Sequence, residues 1–219
     1  KIKVMLQKLE IQSIIDKYYL DGLIEGVLWK ISNKELTINF SHPDKEMVGE
    51  LKTQFDFIDS EIAIFDTSKL LKLINITSGH IELKKNINKL FISDSQYNVT
   101  YHLADKILIP KPGTYTSNAP FDLILPLTKE HIGALIKAKS ALSDSKIMTL
   151  SNSLSPDGEF QLEIMFGGDV DFSNKVSYYI NSSSEVSIPS FSMNFNSDIF
   201  KSVLSSNKDM ESATIGVNI

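Results

Sequence analysis

The chain has 219 residues, 42% of them hydrophobic, and its 22 basic residues, all lysine, are outnumbered by 27 acidic residues for a net charge of -5. This length fits one large domain or two of ordinary size, and no apolar run is long enough to span a bilayer, so we expect a soluble protein with no membrane partner. The absence of cysteine excludes disulfides and thiolate metal sites, and the absence of arginine excludes bidentate contacts with bases or phosphates.

The first half of the chain is predicted to contain two helices among antiparallel strands. Alternating apolar residues predict the strands, and apolar residues at helical spacing predict the helices at 8–20 and 67–76. The strands are expected at 2–6, 25–32, 34–41, 47–55, a short segment from Ile62, 80–85, 89–95 and 97–104. Short turns between them indicate sheets with one face open to water.

Residues 104–120 fit no regular element, because they carry three prolines and a glycine. We interpret this segment as an extended connector between two domains. The predicted organisation is a first domain at 1–105, an interdomain connector at 106–119 and a second domain at 120–219.

The second half repeats the order of elements. A strand at 121–127 precedes a helix at 129–142, and a second helix follows at 197–208. The strands between the two helices are expected at 146–152, 159–167, 175–183 and within 186–195. Because little more than residues 212–219 follow, the second domain is expected to be two strands short of the first.

Two pairs of segments suggest an internal duplication. IAIFDTSKLLKLINIT (62–77) and FSMNFNSDIFKSVLSS (191–206) both read as strand, capping residue and amphipathic helix. LQKLEIQSIIDK (6–17) and LPLTKEHIGALIK (125–137) form a weaker second pair. The alternative is a chance likeness of short amphipathic segments. The duplication predicts an α+β fold of two pseudo-repeated domains, each with antiparallel sheets and two helices.

Charge is distributed unevenly along the chain. The four predicted helices carry nine lysines against four acidic residues, so the rest of the chain is strongly acidic. Lys17, Lys72, Lys137 and Lys201 lie away from the apolar stripes of their helices, and we pair Lys17 with Lys137 and Lys72 with Lys201 across the duplication. The alternative is that lysine, a good helix former, merely covers a solvated face.

No catalytic or nucleotide-binding motif is present, so no enzyme activity, cofactor or metal site is predicted. The four histidines (His42, His80, His102 and His131) have no ligand spacing. Asp169 and Asp171 follow two glycines and could offer carboxylates to a cation, but a glycine-rich turn between strands explains this segment better.

Two β-rich halves, each with two short helices bearing exposed lysines, resemble the DNA sliding clamps, above all the trimeric processivity clamps of tailed bacteriophages. The segments that carry the resemblance are IQSIIDKYYLDG (11–22), FDFIDSEIAIFDTSKLLKLINI (55–76) and FSMNFNSDIFKSVL (191–204). The pattern covers nearly the whole chain, and the strands lacking in the second half are a departure from it.

The resemblance implies a homotrimeric ring of six domains whose helices line a hole around duplex DNA, bound without sequence preference. Such a ring would tether the replicative DNA polymerase for processive synthesis, without catalysis of its own, and a clamp loader ATPase would open it. The chain would act in the cytoplasm of an infected bacterial host.

The resemblance also assigns three groups of residues. The DNA-facing residues would be Lys17, Lys72, Lys137, Lys201, Lys69 and Lys208. The subunit interface would join the last strand of domain one to an edge strand of the next subunit's domain two, at Thr100, Tyr101, Val176 and Tyr179. A groove for a partner peptide would lie beside the connector, at Ile107, Ile109 and Pro110.

Two other classes of function stay open at this stage. The first is a duplicated β-rich structural protein of a phage virion or tail, in which the lysine-bearing helices lie on the outside. The second is an enzyme that uses Asp169, Asp171 or the histidines in an unrecognised site.

Overall fold

A computed structural model describes residues 4–113, 120–168, 173–181 and 188–219. The chain divides into two compact units, Lys1–Tyr115 and Thr116–Ile219. The division falls within the predicted connector, of which residues 114–119 lie outside the described part of the chain. Asp169 and Asp171, considered above as cation ligands, also lie outside the described residues.

Unit 1 contains two four-stranded antiparallel sheets and two helices. The strand orders are β1-β6-β7-β8 and β4-β3-β2-β5. The elements are β1 (Val4–Gln7), α1 (Lys8–Tyr19), β2 (Val27–Ser32), β3 (Glu35–Ser41), β4 (Val48–Gln54), β5 (Ser60–Ile64), α2 (Thr67–Asn75), β6 (His80–Asn86), β7 (Lys89–Ser93) and β8 (Asn98–His102). Each predicted helix and strand of the first half is present, with ends shifted by up to a few residues.

An aromatic cluster occupies the core of unit 1. The Trp29 indole makes edge-to-face contacts with Tyr18, 6.3 Å away between ring centroids, and with Phe55, 5.9 Å away. The Tyr18 hydroxyl lies 3.3 Å from Thr67 Oγ1, and burial raises the pKa of this phenol. Because Tyr18 belongs to α1 and Thr67 to α2, the cluster fixes both helices to one core.

Unit 2 contains a four-stranded antiparallel sheet, ordered β12-β11-β10-β13, and a separate pair, β14-β9. The elements are β9 (Leu123–Leu127), α3 (Lys129–Ala141), β10 (Ile147–Leu154), β11 (Phe160–Gly167), β12 (Lys175–Asn181), β13 (Ser192–Asn196), α4 (Ser197–Ser206) and β14 (Ala213–Val217). Within the described residues of unit 2 there are no counterparts of β7 and β8.

The two units share a hydrogen-bond pattern at the first residue of their second helix, and this pattern aligns one unit with the other. Thr67, the first residue of α2, donates from both its N–H and its hydroxyl to the carbonyl of Glu25. Ser197, the first residue of α4, likewise donates to the carbonyls of Lys146 and Ser145. Both side chains are fully buried. The predicted fold of two pseudo-repeated α+β domains is therefore confirmed.

The same alignment corrects the predicted pairing of lysines. When Thr67 is matched with Ser197, Lys72 corresponds to Ser202 and not to Lys201. When the buried residues Ile11, Ile14 and Tyr18 of α1 are matched with Ile132, Leu135 and Lys139 of α3, Lys17 corresponds to Ala138, and Lys137 corresponds to Asp16. Both predicted pairs are wrong by one residue. Apolar residues at spacings of three and four can be aligned in two registers that differ by one residue, whereas the helix caps and the buried positions fit only one of them.

Candidate nucleic-acid interface

Helix α2 presents two lysines on its exposed side. Leu70 and Ile74 are buried, whereas Lys69 and Lys72 are exposed and lie three residues apart, on one face of the helix. The helix contains no acidic residue, and the Asp66 carboxylate before it accepts the Lys69 backbone N–H as an N-cap, at 2.7 Å. The residues of α2 therefore carry a net charge of +2, while the carboxylates of Asp66 and of Glu25, which accepts the Ser68 N–H, lie at its N-terminus.

Helix α3 presents a second basic face. Lys129, Gly133 and Lys137, which we call the α3 face, lie at four-residue spacing, and all three are exposed. In the described part of the chain, neither lysine of the α3 face makes a hydrogen bond or an ion pair. The acid of this helix, Glu130, lies in the first turn, where hydrogen bonds with its own backbone and with Thr128 lower its pKa.

Helix α1 differs from this pattern. The Lys8 ammonium donates to the carbonyls of Asn75 and Thr77 at the end of α2, at 2.9 and 2.6 Å. Glu10 and Asp16 are exposed, and Lys17 is half-buried. α1 carries two lysines and two acids, so its net charge is zero, and the excess of lysine in the helices lies mainly on α2 and α3.

Helix α4 is also neutral, with Asp198 balancing Lys201. Lys201 is half-buried. Lys208 is exposed but lies in a turn, because α4 ends at Ser206 and not at residue 208 as predicted. Of the six lysines predicted to face DNA, Lys69, Lys72 and Lys137 are thus exposed on a helix with net positive charge.

Lys139 accounts for part of the positive charge that sequence counting assigns to the helices. Its side chain is 1% exposed, and its ammonium contacts Asp198 Oδ1 at 3.0 Å. It also donates to the carbonyls of Leu142, Ser143 and Ser145, which follow the last turn of α3. This lysine stabilises the end of α3 and the start of α4 and is not available to a ligand.

Sequence reasoning missed Lys129 as a member of this surface. Its signal is the eight-residue spacing to Lys137, with Gly133 halfway, which places all three residues on one side of a helix. The prediction paired lysines across the duplication and therefore overlooked a pair within one helix.

The residues predicted to form a peptide groove serve two different purposes. A 3₁₀ turn begins the connector, held by the Asp105 carboxylate, which accepts the Ile107 N–H, and by an ion pair between Lys106 and Glu61. Ile109 is only 8% exposed, so the prediction that it offers a surface is wrong: it anchors the turn in unit 1. Ile107 is 85% exposed, as a binding residue requires.

Pro110 packs where the chain leaves this turn. Its Cδ lies 2.9 Å from the position that a Cβ on Gly26 would occupy, so the proline rests against a residue without a side chain. Leu108, which the sequence analysis did not select, is 60% exposed. With Phe65 and Leu73 it lines an open, largely apolar cleft of about 320 Å³.

The strands predicted to join subunits are both at sheet edges. β8 ends one sheet of unit 1, and β12 ends the larger sheet of unit 2. Thr100 is exposed, Val176 is half-buried, and Tyr179 is 49% exposed. The structure corrects the assignment of the Tyr101 side chain to the subunit interface. Its ring is buried, and its hydroxyl donates to the Asp66 carbonyl at 3.0 Å, so the side chain belongs to the core of unit 1.

In the described ranges, no three histidine or acidic side chains converge as a metal site would require. His131 instead completes a capping box at the start of α3, where its N–H donates to Thr128 Oγ1. No helix of the described chain is long and apolar enough to cross a membrane.

Comparison with known proteins gives a structural likeness without a sequence relative. No family model and no curated protein matches the chain. The sliding clamp of Bacillus subtilis DNA polymerase is similar over 99% of the chain, with a TM-score of 0.70 at 12% identity. The beta subunit of Thermotoga maritima DNA polymerase III is similar over 100% of the chain, with a TM-score of 0.66 at 12% identity.

A third similar structure is the beta chain of Streptococcus pneumoniae DNA polymerase III, with a TM-score of 0.68 at 14% identity over 100% of the chain. The chain spans only 58% to 59% of the length of these three bacterial proteins. At such low identity the likeness concerns the fold, which agrees with the pseudo-repeat and with the paired helices of each unit. The chain has the fold of the DNA sliding clamps.

Proposed function

We propose that the chain forms a sliding clamp that encircles duplex DNA and tethers the replicative DNA polymerase during processive synthesis. The observation that carries this proposal is the likeness to sliding clamps over the whole chain. In this function the chain does no chemistry of its own and needs no cofactor, and a clamp loader ATPase opens the ring.

Charge placement supports the same proposal. The chain has a net charge of -5, yet the exposed residues of α2 include two lysines and no acid, and those of α3 include two lysines and one acid, Glu130. A duplex attracted to these helices and repelled elsewhere is held through phosphates, and its bases are not read. Lys17, Lys201 and Lys208 are assigned smaller contributions, because two are half-buried and the third lies outside a helix.

We propose that the ring is a homotrimer closed by pairing of β8 with β12 of the next subunit. Edge strands carry unpaired backbone groups, and charged side chains usually protect them. β8 has no lysine or acidic residue, and β12 has a single one, Lys175. The open edge of β4, by contrast, carries the Glu50–Lys52 ion pair.

Native mass measurement tests this assembly, with a trimer as the expected result. Proline at two consecutive positions, Tyr178→Pro and Tyr179→Pro, provides a matched pair, since successive N–H groups of a strand point to opposite sides. The variant whose lost N–H faces the open edge should remain folded and become monomeric. The other variant should lose stability. Two folded variants that both keep the parent's mass would contradict pairing through β12.

We propose that the polymerase docks on the exposed residues beside the connector, Ile107 and Leu108, while Ile109 and Pro110 hold the turn in place. Ile107→Asp and Leu108→Asp are expected to abolish stimulation of the polymerase without changing the melting temperature, because both side chains are exposed. Ile109→Asp should instead unfold unit 1, because it buries a charge. Full stimulation by the double variant Ile107→Asp/Leu108→Asp, measured as product length, would contradict this docking site.

The resemblance to clamps of tailed bacteriophages extends the proposal to the setting of the reaction. We assign the chain to the cytoplasm of an infected bacterial host, where phage DNA is replicated. Detection of the protein in a bacterial culture only after infection, by mass spectrometry of its peptides, is the expected result.

A further inference from the structure

A cleft in unit 1 lies between the edge strand β5 and the turn that joins β6 to β7. Its volume is about 320 Å³. β5 and the residue before it contribute Glu61 and Asp59, the β6–β7 hairpin contributes Lys85 and Ile87, and the connector contributes Lys106. The Leu108 side chain, by contrast, lines the apolar cleft described above. The first turn of the connector therefore borders two different clefts.

Leu103 and Ala104 connect the two sides of this cleft and also line it. The Leu103 N–H donates to the Asn88 carbonyl in the β6–β7 turn, at 2.9 Å. The Ala104 N–H donates to the Ala63 carbonyl of β5, at 3.1 Å. Because backbone hydrogen bonds hold both sides to one short segment, the cleft is a built feature of unit 1.

The backbone of β5 directs open hydrogen-bonding groups to the same side. In the described part of the chain, β5 ends its sheet and pairs as a strand with β2 alone. The Ala63 carbonyl points away from β2, toward Ala104, so the alternation of an antiparallel ladder directs the N–H and the carbonyl of Glu61 away from β2 as well. Open groups at a sheet edge are a template for a further strand.

Ile87 is an unusual residue for its position. It begins the two-residue turn between Asn86 and Lys89, and its side chain is 90% exposed. Such turns favour polar residues and glycine, as at Asn33 in the β2–β3 hairpin. The Asn86 side-chain oxygen accepts the Ile87 N–H at 2.8 Å and holds the turn, so the turn itself does not require isoleucine. Its apolar side chain is therefore free to contact a partner.

Lys85 provides a positive charge in the cleft. It lies on the same face of β6 as the buried residues Ile81 and Leu83, and its side chain is half-buried. Within the described residues, Lys85 makes no hydrogen bond or ion pair. Lys106, by contrast, is paired with the Glu61 carboxylate. An acidic group on the hairpin side of the cleft would therefore find Lys85 as its partner.

We propose that this cleft binds an extended peptide segment of a protein partner, added as a strand to β5, with an apolar side chain against Ile87 and an acidic side chain facing Lys85. The site is separate from the polymerase-docking residues of the connector and does not depend on DNA. A nucleic-acid strand fits less well, because its uniform negative charge would also meet Asp59 and Glu61. A peptide can place its acidic residue on the hairpin side alone.

Three synthetic heptapeptides test the proposal. One alternates valine with aspartate, the second has lysine in place of aspartate, and the third has serine in place of valine. At millimolar concentration the first should slow hydrogen exchange of the Glu61 N–H, followed by NMR, at least about tenfold more than the other two. An unchanged exchange rate would overturn the proposal. Slower exchange with an oligothymidylate but not with the first peptide would also overturn it, because the cleft would then bind nucleic acid.

Ile87→Asn separates peptide binding from folding. Asparagine is a favoured turn residue, so the melting temperature should be unchanged or higher, whereas affinity for the valine–aspartate peptide should fall at least about fivefold. Leu154→Asn, which replaces another exposed apolar residue, is the matched control and should keep the parent's affinity. A folded Ile87→Asn variant that binds this peptide like the parent would contradict the proposal.

Charge reversal and the connector variants complete the test. Lys85→Glu should reverse the preference, so that the valine–lysine peptide binds more tightly than the valine–aspartate peptide. Ile107→Asp/Leu108→Asp should bind the valine–aspartate peptide like the parent, because those residues belong to the polymerase-docking site. A Lys85→Glu variant that keeps the parent's preference, or loss of peptide binding in the connector variant, would show that the peptide does not occupy this cleft as proposed.

Discussion

Replacing the four exposed lysines of α2 and α3 by glutamate is expected to abolish association with duplex DNA. The residues are Lys69, Lys72, Lys129 and Lys137. Each exposed charge interacts with a phosphate by roughly 1 kcal/mol at 4 Å in water, so single alanine substitutions should be nearly silent. Reversing all four charges in every subunit converts each attraction into a repulsion, and the effects add over the ring.

The measurement is loading onto circular DNA, followed by the salt dependence of retention. The variant should fold and assemble like the parent, because these side chains face away from the buried stripes of their helices. A control with the same change in net charge uses four exposed lysines outside the helices: Lys30, Lys34, Lys45 and Lys111. If the helix variant loads onto DNA as well as this control does, the placement of lysines on α2 and α3 no longer supports a clamp.

Removing the buried lysine of unit 2 is expected to cause the largest loss of stability. Lys139→Ala leaves the Asp198 carboxylate without its buried partner and removes one donor from each of three carbonyls, although the Ser145 carbonyl still accepts the Ser197 hydroxyl. Breaking a buried pair costs about 3 kcal/mol, at the low end of its range here because Asp198 is partly exposed and also contacts Lys146. This is a substantial fraction of the free energy of unfolding of a domain.

Lys139→Met, which keeps the length of the side chain, should lose less stability than Lys139→Ala, and exposed Lys137→Ala should lose almost none. Chemical denaturation followed by circular dichroism measures all three. Equal stability of the alanine variant and the parent would show that the lysine is dispensable.

Acid should weaken the same contact. Hydrogen bonds from Lys146 and Lys139 hold the pKa of Asp198 below its ordinary value. A carboxylate with a lowered pKa stabilises the folded state above its unfolded pKa of about 3.9, and this contribution is lost as the pH falls through the lower, folded value. The parent should therefore lose more stability than Lys139→Met when the pH is lowered below about 4. An identical acid response would contradict the assignment.

Much of the fold follows from local patterns in the sequence. Alternation and helical spacing predict each helix and nearly every strand within a few residues, and the caps at Asp66 and Asn196 mark where α2 and α4 begin. The repeat of these patterns predicts two pseudo-equivalent domains. Such signals are contained within about fifteen neighbouring residues, so they are readable without knowledge of distant contacts.

The placement of charge required the tertiary structure. Four lysines on exposed helix positions look alike in the sequence, yet Lys17 and Lys201 are half-buried, and a fifth, Lys139, is fully buried beside Asp198. In the sequence Tyr101 is an ordinary residue of an edge strand, but in the structure its hydroxyl donates a hydrogen bond to the backbone carbonyl of Asp66. In each case the deciding partner is far away in the chain.

Local sequence patterns establish the order of elements and the duplication, because periodicity and capping are properties of neighbouring residues, and composition shows the excess of lysine in the helices. The register of the duplication and the exposure of the helical lysines and connector residues depend on how the chain packs. Burial and ion pairing arise from contacts between distant segments, and a one-residue shift rotates a helical side chain by about 100°. In the register set by burial, Lys137 corresponds to Asp16 and not to Lys17, while the packing of α3 itself leaves Lys129, Gly133 and Lys137 exposed.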